Sequence, residues 1–503
     1  MFYNIDEVMG MPIVTPENIL KLLYSYNPWW RDGILPKEYS RPIKRFAFNE
    51  ASKVLLHPDL KRYVVLSGAR RVGKTTILYQ MIEELLTKGV TSQNILYVSF
   101  DHPLLKFCSV EDLLAIYEAN VSAVDATYLF FDEVQYATDW EIWLKVIYDS
   151  RPRYRVVATG SASPVLIQGA SDSGVGRWTM IPVPTLSFYE YCDILSVSER
   201  PKLDSGIKPT ALSKMTSPQL GMLMNQLAPL QKHFHRYLTV GGFPELALSR
   251  DDYYAQRILR EDVVDKVLKR DIPALFNVRN AAVLEKVFLF LCFNSSNIIS
   301  IAAISKELDG TPAATVSNYI QFLERANLIY ISNPINLDGK KVLKVRPKIY
   351  IADAAIRNAV LMLDNVLADP EEMGIMVETA VYKHLAAFYY REHTTVGYFR
   401  KSGDEKEIDI IVEFPTGKIL AEVKYRENSE IKRSDAIVEL AGSETDGIAS
   451  ALVITKRPDD YGPTAHNTKI PVMRVPAHAF LYLLGHAEKA GYVKEQILKL
   501  APD

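Results

Sequence analysis

The stretch LSGARRVGKTTILYQ, residues 66–80, places two glycines, a lysine and two threonines directly before a segment with helical spacing. Within it, Gly68 is followed by four residues and then by Gly73, Lys74 and Thr75. Glycines at such a turn allow the backbone to approach a ligand closely, because they have no side chain in the way. The stretch therefore raises the question of which ligand the turn holds.

The residues on either side of this turn predict its structural context. The run from Tyr63 to Leu66 is short, apolar and rich in β-branched side chains, which predicts a buried parallel strand. After Lys74, apolar residues recur at helical spacing as far as Gly89, which is a natural residue to end a helix. Strand, glycine-rich turn and helix in this order are typical of a P-loop, which holds the phosphates of a nucleotide.

We expect ATP and Mg²⁺ to bind at this loop. Its backbone N–H groups and the helix N-terminus would face the phosphates, and Lys74 would reach the β- and γ-phosphates as a catalytic residue. Thr75 supplies a hydroxyl group to Mg²⁺. The alternative is a plain glycine-rich turn before a helix. The predicted nucleotide-binding residues of the loop are Gly68, Ala69, Arg70, Arg71, Val72, Gly73, Lys74, Thr75 and Thr76.

Two further apolar runs end in polar residues suited to the same site. TYLFFDEVQ predicts a strand that ends in Asp132, which would hold Mg²⁺, and Glu133, which would polarise the attacking water. RVVATGS predicts another strand, whose last residues include Thr159 and Ser161, and we assign Ser161 to sensing the γ-phosphate. The alternatives are solvated acids at a strand end and ordinary turn chemistry. Alternation of strands and helices predicts a parallel α/β sheet.

Composition sets limits on the class of protein. Of 503 residues, 48% are hydrophobic and 23% are charged, as in an ordinary globular protein, and the length predicts about three or four domains. A formal net charge of −2 excludes a uniformly basic nucleic-acid coat, although a local basic surface stays open. Three cysteines far apart in sequence indicate neither a disulfide framework nor a CxxC zinc site.

The sequence also predicts the cellular location. The N-terminal stretch MFYNIDEVMGMP carries acids and lacks the basic region of a signal peptide. The longest apolar stretch, Val287 to Phe293, is far shorter than the roughly 20 residues that span a bilayer. We therefore expect a cytoplasmic protein with no membrane partner.

The middle of the chain predicts two kinds of segment. Residues 200–225 are rich in Pro, Ser and Lys, which predicts a linker or loop. Residues 253–276 have the pattern of a helix with charges on one face, ending at Pro273. From Val283 to Pro334 the pattern is helix, short helix, turn, helix and strand, which is the order of a winged helix.

The predicted winged helix gives a mixed signal about DNA. Its recognition helix, TVSNYIQFLERA, is almost uncharged, which is poor for reading the major groove. A basic wing that contacts phosphates could follow, since GKKVLKVRPK is rich in cations. The alternative is a small packing domain with a solvated run of charges. The basic residues are Lys340, Lys341, Lys344, Arg346 and Lys348.

Near the C-terminus, two strand patterns bring acids together. KEIDIIVEF alternates acid and apolar residues, so that Glu407, Asp409 and Glu413 share one face. A Pro-Thr-Gly turn leads into KILAEVKYR, in which Glu422 and Lys424 share a face. An even-length hairpin loop, or a three-residue loop with a bulge, sets Asp409 across from Glu422 or Lys424. Such a face suits a divalent metal beside a lysine that stabilises phosphate. The alternative is an exposed charged hairpin.

These motifs, in their order, resemble a family of archaeal and bacterial AAA+-like ATPases with a C-terminal nuclease-like domain of unknown function. The motifs are GARRVGKTT, LFFDEVQ followed by Trp140, VVATGSAS, GRWTMIPVPTLSFYEY, YLTVGGFPE, KIYIADAAIRNAV and EIDIIVEF with AEVKY. The resemblance covers residues 20–480 and implies an ATP-binding core with the P-loop, Asp132, Glu133 and Ser161. It also implies that Arg177 reaches a γ-phosphate, in cis or from a neighbouring subunit. A surface stacking pair of arginine and tryptophan is the alternative role.

The C-terminal pattern resembles that of PD-(D/E)xK nucleases, with Glu378 matching the acid on their first helix. It implies a second divalent metal at Asp409 and Glu422, with Glu378 and Lys424 nearby. The expected fold is therefore α/β, with a P-loop core, a winged-helix middle domain and a restriction-endonuclease-like α/β domain. The expected domains are residues 1–55 (helical), 56–200 (ATPase core), 201–275 (helical linker or lid), 276–345 (winged helix) and 346–503 (nuclease-like).

Two hypotheses about function follow. In the first, the protein hydrolyses ATP and acts on DNA or RNA through its C-terminal domain, as a nuclease or a clamp. In the second, it is a regulatory nucleotide switch that binds a protein partner, with an inactive nuclease-like module. A complete set of acids and lysine favours the first, and the uncharged recognition helix favours the second. AAA+ relatives assemble into rings, so we also expect a homo-oligomer of undetermined size.

Overall fold

The computed structural model describes residues 15–122, 126–160, 176–203, 207–335, 346–363, 365–389, 394–400, 406–443 and 447–500. The chain forms two compact units. The first contains Met1–Gly68 and Gly73–Val183, and the second contains Ala69–Val72 and Pro184–Asp503. The five predicted domains and their boundaries stay a prediction within this division.

A parallel five-stranded sheet forms the centre of the first unit. Its order is β2-β3-β4-β1-β5, so β4 lies between the P-loop strand β1 and the acidic strand β3. Each pairing is parallel, and the strands are apolar because helices cover such sheets on both faces. The predicted α/β class with a parallel sheet is confirmed. The strands are β1 (Tyr63–Ser67), β2 (Ile95–Ser99), β3 (Thr127–Asp132), β4 (Tyr154–Gly160) and β5 (Trp178–Pro182).

The helices of the first unit bury one apolar side each. The helix after the P-loop, α4, buries Ile77, Met81 and Leu85 at helical spacing. Gly89 follows it with a φ of 83°, as expected for a glycine after a helix end. The helices are α1 (Pro16–Tyr26), α2 (Trp29–Asp32), α3 (Phe46–Leu55), α4 (Lys74–Thr87), α5 (Val110–Asn120) and α6 (Trp140–Ser150), with 3₁₀ turns at Ser92–Asn94, Pro103–Phe107 and Val134–Tyr136.

The second unit begins with helices. They are α7 (Phe188–Ile194), α8 (Ser217–Leu227), α9 (Gln231–Val240), α10 (Pro244–Leu248), α11 (Asp252–Ile258), π-helical segments Leu259–Asp265 and Val267–Asp271, α12 (Ile272–Phe276), α13 (Ala281–Phe293), α14 (Ile301–Glu307) and α15 (Ala313–Arg325). After these come α16 (Ala354–Leu361), α17 (Pro370–Tyr389), α18 (Ala436–Gly442) and α19 (Ala477–Leu500). The 3₁₀ turns are Pro209–Lys214, Ala228–Leu230 and Val366–Ala368.

Two predictions for this region are wrong. The expected loop at residues 200–225 contains most of α8, because Thr216 and Gln219 form a capping box and the helix buries apolar residues such as Leu220 and Leu223. The charged helix does not end at Pro273. This proline lies in the first turn of α12, where the missing N–H is not needed, so the helical path continues.

The predicted order of helix, short helix, turn, helix and strand is observed in α13, α14, α15 and the strand β6 (Ile329–Pro334). A further strand, β7 (Lys348–Ile351), pairs with β6 in antiparallel fashion. The name winged helix stays a prediction. Of the predicted basic wing, Lys340, Lys341 and Lys344 lie outside the described residues. Lys348 is buried with an exposure of 3%, which fits neither an exposed basic wing nor a solvated run of charges.

A mixed eight-stranded sheet completes the second unit. Its order is β12-β13-β11-β10-β9-β8-β6-β7. The hairpin of β9 and β10 pairs Phe414 with Gly417 and Ala421 with Ile410. Its loop therefore has two residues, which is the even-length alternative. The remaining strands are β8 (Thr395–Arg400), β9 (Glu407–Phe414), β10 (Gly417–Lys424), β11 (Ile448–Thr455), β12 (Gly462–Pro463) and β13 (Val472–Pro476).

An apolar core fixes the position of this hairpin. Ile408 and Ile411 of β9 and Leu420 of β10 pack in one cluster with Ile437 of α18 and Val453 of β11. Burial of these side chains makes a shift of the strand register costly, because a shift by one residue would move them to the other face. Within the part of the chain that the structure describes, none of the helices has the length and apolar character needed to cross a membrane.

Candidate functional site

The P-loop lies between β1 and α4, at the carboxyl end of the parallel strand. Gly73 adopts a φ of 94° directly before α4, a conformation that residues other than glycine rarely adopt. Lys74 is buried, and its Nζ donates a hydrogen bond to the carbonyl oxygen of Gly68 at 2.9 Å. Thr75 and Thr76 lie in the first turn of α4. The predicted strand, turn and helix are therefore observed, and the N–H groups at this helix end suit an anion.

The remaining residues of the loop, Ala69–Val72, belong to the second compact unit. In that unit, Arg70 Nε lies 2.5 Å from Asp271 Oδ2, and Arg71 pairs with Asp262. Arg71 has a φ of 61°, a conformation that costs a residue other than glycine about 1–3 kcal/mol. Both guanidinium groups are engaged by carboxylates, and their predicted contact with a nucleotide stays a prediction.

Asp132 is the best-supported carboxylate of the first unit. It is the last residue of β3, and only 3% of its surface is exposed to solvent. Its Oδ2 accepts hydrogen bonds from the Thr75 hydroxyl at 2.7 Å and from the Tyr97 hydroxyl at 2.9 Å. Its Oδ1 accepts a hydrogen bond from the Thr159 hydroxyl. The structure therefore joins the P-loop helix to the three neighbouring strands β2, β3 and β4 at one carboxylate.

The environment of this carboxylate has opposing effects on its pKa. Burial raises the pKa of Asp132, and the neighbouring charge of Glu133 raises it further. The three hydroxyl donors lower it, and the net shift is upward. A nearby cation would stabilise a buried carboxylate whose pKa is raised. The oxygen atoms of Asp132 and Thr75 are ligands of the kind that Mg²⁺ prefers.

Glu133 follows at the strand end in a left-handed conformation, with a φ of 50°. Its backbone N–H donates to the Thr159 hydroxyl oxygen at 3.0 Å, and its side chain accepts a hydrogen bond from Gln135. Because such backbone conformations cluster at functional sites, this geometry agrees with the position expected for Glu133. Ser161, the predicted γ-phosphate sensor, lies outside the described residues.

Arg177 is not brought near these residues. It precedes β5, and its carbonyl oxygen accepts a hydrogen bond from the Tyr63 N–H at the start of β1. The P-loop lies at the other end of β1, roughly 13 Å away along the strand. The Arg177 guanidinium makes two hydrogen bonds of 3.1 Å to Asp149. This position argues against a role in cis, and a role across subunits stays a prediction.

The second unit brings the predicted C-terminal residues together. The hairpin register continues from Ala421 and Ile410 to place Glu422 opposite Asp409. Asp409 Oδ2 accepts a hydrogen bond from the Val423 N–H at 2.8 Å. Lys424 Nζ lies 2.7 Å from Glu422 Oε1. The other oxygen, Glu422 Oε2, is buried and has no hydrogen-bond partner among the described residues.

Lys348, one of the cations of the possible basic wing, lies among the acids. Lys348 Nζ is 2.8 Å from Glu378 Oε1, 2.9 Å from Glu407 Oε1 and 3.4 Å from Asp409 Oδ1. The Tyr350 hydroxyl also donates to Glu378 Oε1 at 2.9 Å. The acids come from α17 and β9 and the lysine from β7, so that tertiary structure alone assembles the group.

Two acids of this region, Glu378 and Glu422, have raised pKa values. Burial and then the charge of Asp409 raise the pKa of Glu378 to about 7, against the opposing effect of Lys348. Burial and then Asp409 raise the pKa of Glu422 to about 8, against the opposing effect of Lys424. Burial lowers the pKa of Lys348, but the surrounding acids outweigh it and raise the pKa well above its ordinary value.

The fit of this group to a divalent metal is partial. Among the described residues, no three or more His, Cys, Asp and Glu side chains are placed to hold a metal ion. Three acids do converge, but they converge on the Lys348 ammonium group. Glu422 Oε2 has no hydrogen-bond partner among the described residues and belongs to the residue opposite Asp409. Carboxylate oxygens of this kind are ligands that Mg²⁺ prefers.

Several residues of both sites were missed from sequence. Tyr97 and Thr159 complete the hydrogen bonds of Asp132. Thr159 stood at the end of a predicted strand, but neither residue was assigned to the acid. Lys348 and Tyr350 alternate along KIYI, so they share a face of β7. That alternation was visible, but nothing in it indicated which strand would lie opposite.

Comparison with known protein families agrees with a P-loop domain in the first unit. Residues 60–192 match the family model described as an AAA domain. Residues 231–367 and 373–475 match two domains of unknown function, DUF8612 and DUF4143. These two descriptions name no nuclease, so the nuclease resemblance is not confirmed.

The chain is also similar to whole proteins and to a solved structure. An uncharacterized protein of Haemophilus influenzae is 26% identical over 319 residues, which cover 61% of this chain and 72% of that protein. An uncharacterized protein of Methanocaldococcus jannaschii is 24% identical over 396 residues, which cover 78% and 80%. The Aeropyrum pernix Orc1 protein in complex with DNA is 13% identical and covers 66% of this chain and 96% of its own, at a TM-score of 0.29. A score this low carries no argument. The AAA-domain match spans the P-loop and Asp132, and it supports a nucleotide-binding AAA+-like protein.

Proposed function

We propose that the first unit binds ATP with Mg²⁺ and hydrolyses it. The observation that carries this proposal is the convergence on Asp132, where the hydroxyl groups of Thr75, Tyr97 and Thr159 meet one buried carboxylate. A metal-binding acid that contacts the P-loop threonine is the arrangement that Mg²⁺-dependent phosphoryl transfer needs. The match to an AAA domain supports the same function.

Each residue of the site has a defined task in this proposal. Lys74 would leave the Gly68 carbonyl for the β- and γ-phosphates. Thr75 and Asp132 would hold Mg²⁺, whose charge would offset that of the phosphates. Glu133 orients and polarises the attacking water. Thr159 holds both Asp132 and the Glu133 backbone, so it positions the acid and the base relative to each other.

The test of this function is ATP hydrolysis by the purified full-length chain with Mg²⁺. Release of phosphate that disappears when EDTA is added, with ATP binding measured separately, is the expected result. A folded protein that binds neither ATP nor ADP at millimolar concentration would sink the proposal. Hydrolysis that continues at full rate in EDTA would show that Asp132 and Thr75 do not act as metal ligands.

We further propose that the second unit acts on nucleic acid through one divalent metal at Asp409 and Glu422. The supporting observation is the unpartnered oxygen of Glu422, opposite Asp409 and beside Lys424. A metal held there would polarise a phosphodiester, and the Lys424 ammonium group would stabilise negative charge on its oxygens. Glu378 pairs with Lys348 and would contribute less.

The second candidate function is a regulatory nucleotide switch that binds a protein partner through an inactive C-terminal module. The observation that favours it is the pairing of three acids with the one Lys348 ammonium group. A domain whose acids already share a cation of its own is able to hold its fold without a metal. In this version, ATP turnover in the first unit is retained and the second unit has no chemistry of its own.

One experiment separates the two functions. The full-length protein is incubated with labelled single- and double-stranded DNA and RNA, with Mg²⁺ or Mn²⁺, with and without ATP. Metal-dependent cleavage or binding supports the first function. Absence of both, with Mg²⁺-dependent ATP hydrolysis retained, supports the switch. The expected homo-oligomer is measured on the same samples by light scattering.

A further inference from the structure

The acids of the second unit form two positions for positive charge rather than one. The first is filled by Lys348 Nζ, between Glu378 and Glu407. The second is at Glu422 Oε2, a buried oxygen that has no hydrogen-bond partner in the described structure, in a residue that is only 8% exposed. Asp409 lies between them, with Oδ1 towards Lys348 and Oδ2 accepting the Val423 N–H.

This division resembles a site for two metal ions with one position taken. Two-metal sites hold their ions about 3.5–4 Å apart with carboxylates between them. An ammonium group surrounded by three carboxylate oxygens supplies positive charge at one such position and repels a divalent ion from it. Lys348 is also 3% exposed, so the group cannot move into water without opening the unit.

We propose that Lys348 is a built-in cation that replaces one metal ion, so that the second unit binds a single divalent ion per chain. The inference rests on the proposed metal site at Asp409 and Glu422. It adds that Glu378 and Glu407 hold Lys348 and are not metal ligands in the native protein. It also explains why these acids remain together without a metal.

The test is Mn²⁺ binding to the nucleotide-free, full-length protein by isothermal titration calorimetry. We expect one Mn²⁺ per chain, lost in Glu422→Gln. In Lys348→Met the three acids lose their counter-charge, so we expect two Mn²⁺ per chain and a larger rise in melting temperature on adding Mn²⁺. Lys418→Met is the matched control. Lys418 of β10 pairs with Glu413 of β9 in the same hairpin, but neither residue contacts Lys348.

A charge-balanced variant covers the case in which Lys348→Met does not fold. Lys348→Met with Glu407→Gln removes one acid together with the lysine and leaves Glu378 and Asp409 for the second ion, so two Mn²⁺ are again expected. One Mn²⁺ per chain at unchanged affinity in both variants would overturn the role of Lys348 and leave the proposed metal site standing. Two Mn²⁺ in the native protein would also overturn it. No ion in the native protein would overturn the single-ion count and would also sink the proposed metal-dependent function.

Discussion

Asp132 in the first unit and Asp409 in the second are both partly or fully buried carboxylates, but they are stabilised by different donors. Asp132 accepts hydrogen bonds from three hydroxyl groups. Asp409 shares the Lys348 ammonium group with two further acids. The first site therefore has neutral partners, and the second contains its own positive charge.

This difference determines what each site gains from a cation. Hydroxyl groups rotate and can act as donor or as acceptor, so Thr75 is able to turn its oxygen towards Mg²⁺ without leaving a buried charge unpaired. An ammonium group only donates, and removing it from three acids would leave uncompensated charge in the interior, which is costly. The first site is suited to a metal that arrives with its nucleotide, and the second is stable without one.

The largest expected effect is that of Lys74→Ala in the first unit. Lys74 provides the mobile cation that the P-loop aims at the β- and γ-phosphates, so we expect ATP hydrolysis to fall by at least about a hundredfold. Mn²⁺ binding by the second unit should not change. Phosphate release and calorimetry on one preparation measure both. Unchanged hydrolysis in a folded Lys74→Ala protein would remove the phosphate-binding role.

Glu133→Gln should separate binding from turnover at the same site. An amide cannot accept a proton from water, so hydrolysis should fall by about a hundredfold or more, while ATP affinity stays within about threefold. Fluorescent-nucleotide binding and single-turnover hydrolysis are the measurements. Equal losses of affinity and rate would assign Glu133 to the structure of the site.

Asp409→Ala is the corresponding test of the second unit. It removes one carboxylate of the proposed metal site, so metal-dependent nucleic-acid cleavage or binding should fall by about a hundredfold, with ATP hydrolysis retained. Lys424→Ala should act in the same direction, and Glu378→Ala should weaken the activity less. Gel-shift and cleavage assays with Mn²⁺ measure these losses. A parallel loss of ATP hydrolysis would contradict the separation of the two sites.

Thr159→Val should have an intermediate effect, because Thr159 acts through Asp132 and Glu133. The substitution keeps the shape of the side chain and removes a hydroxyl that bonds to both residues. We expect the rate of hydrolysis to fall by about tenfold to a hundredfold, since a lost hydrogen bond to a charged group costs about 1.5–3 kcal/mol. Thr159→Ser should restore the rate. Failure of the serine variant to do so would mean that packing, and not the hydroxyl, is required.

The smallest effect is expected for Arg177→Ala. At low protein concentration the guanidinium contacts Asp149 in the same unit and lies far from the P-loop, so hydrolysis should equal that of the native protein. If Arg177 completes a site across subunits, native activity per chain should rise with concentration and the variant should not follow. Rates measured across a hundredfold concentration range decide this. Identical rate curves for the native and variant proteins would mean that Arg177 serves only in its ion pair with Asp149.

The first site could be predicted from sequence to a large extent. Gly68 to Thr75 and Asp132 are close to strands and helices whose patterns are strong, and carboxyl ends of parallel strands meet at one edge of a sheet. The strand, turn and helix around Lys74 are observed as predicted. The contributions of Tyr97 and Thr159 could not be predicted, because they depend on β2 and β4 lying on either side of β3.

The second site could be predicted only in its hairpin. The alternation in KEIDIIVEF and the short turn predicted that Asp409 faces Glu422, and the register agrees. Lys348 was misplaced, because a basic residue in a charged run is most often exposed. The helix α8 and the continuation through Pro273 were missed for a similar reason. Proline and serine predict loops, yet both are tolerated at a helix start.

The sequence by itself determined the P-loop, its strand and helix, the acids at the end of β3 and the charged hairpin, since each depends on neighbours within a few residues along the chain. Only the tertiary structure decided that Lys348 lies among Glu378, Glu407 and Asp409, and that Arg177 lies at the far end of β1. Local pattern specifies which face a side chain takes. It does not specify which distant strand or helix will supply the opposite charge, because that follows from packing of the whole core.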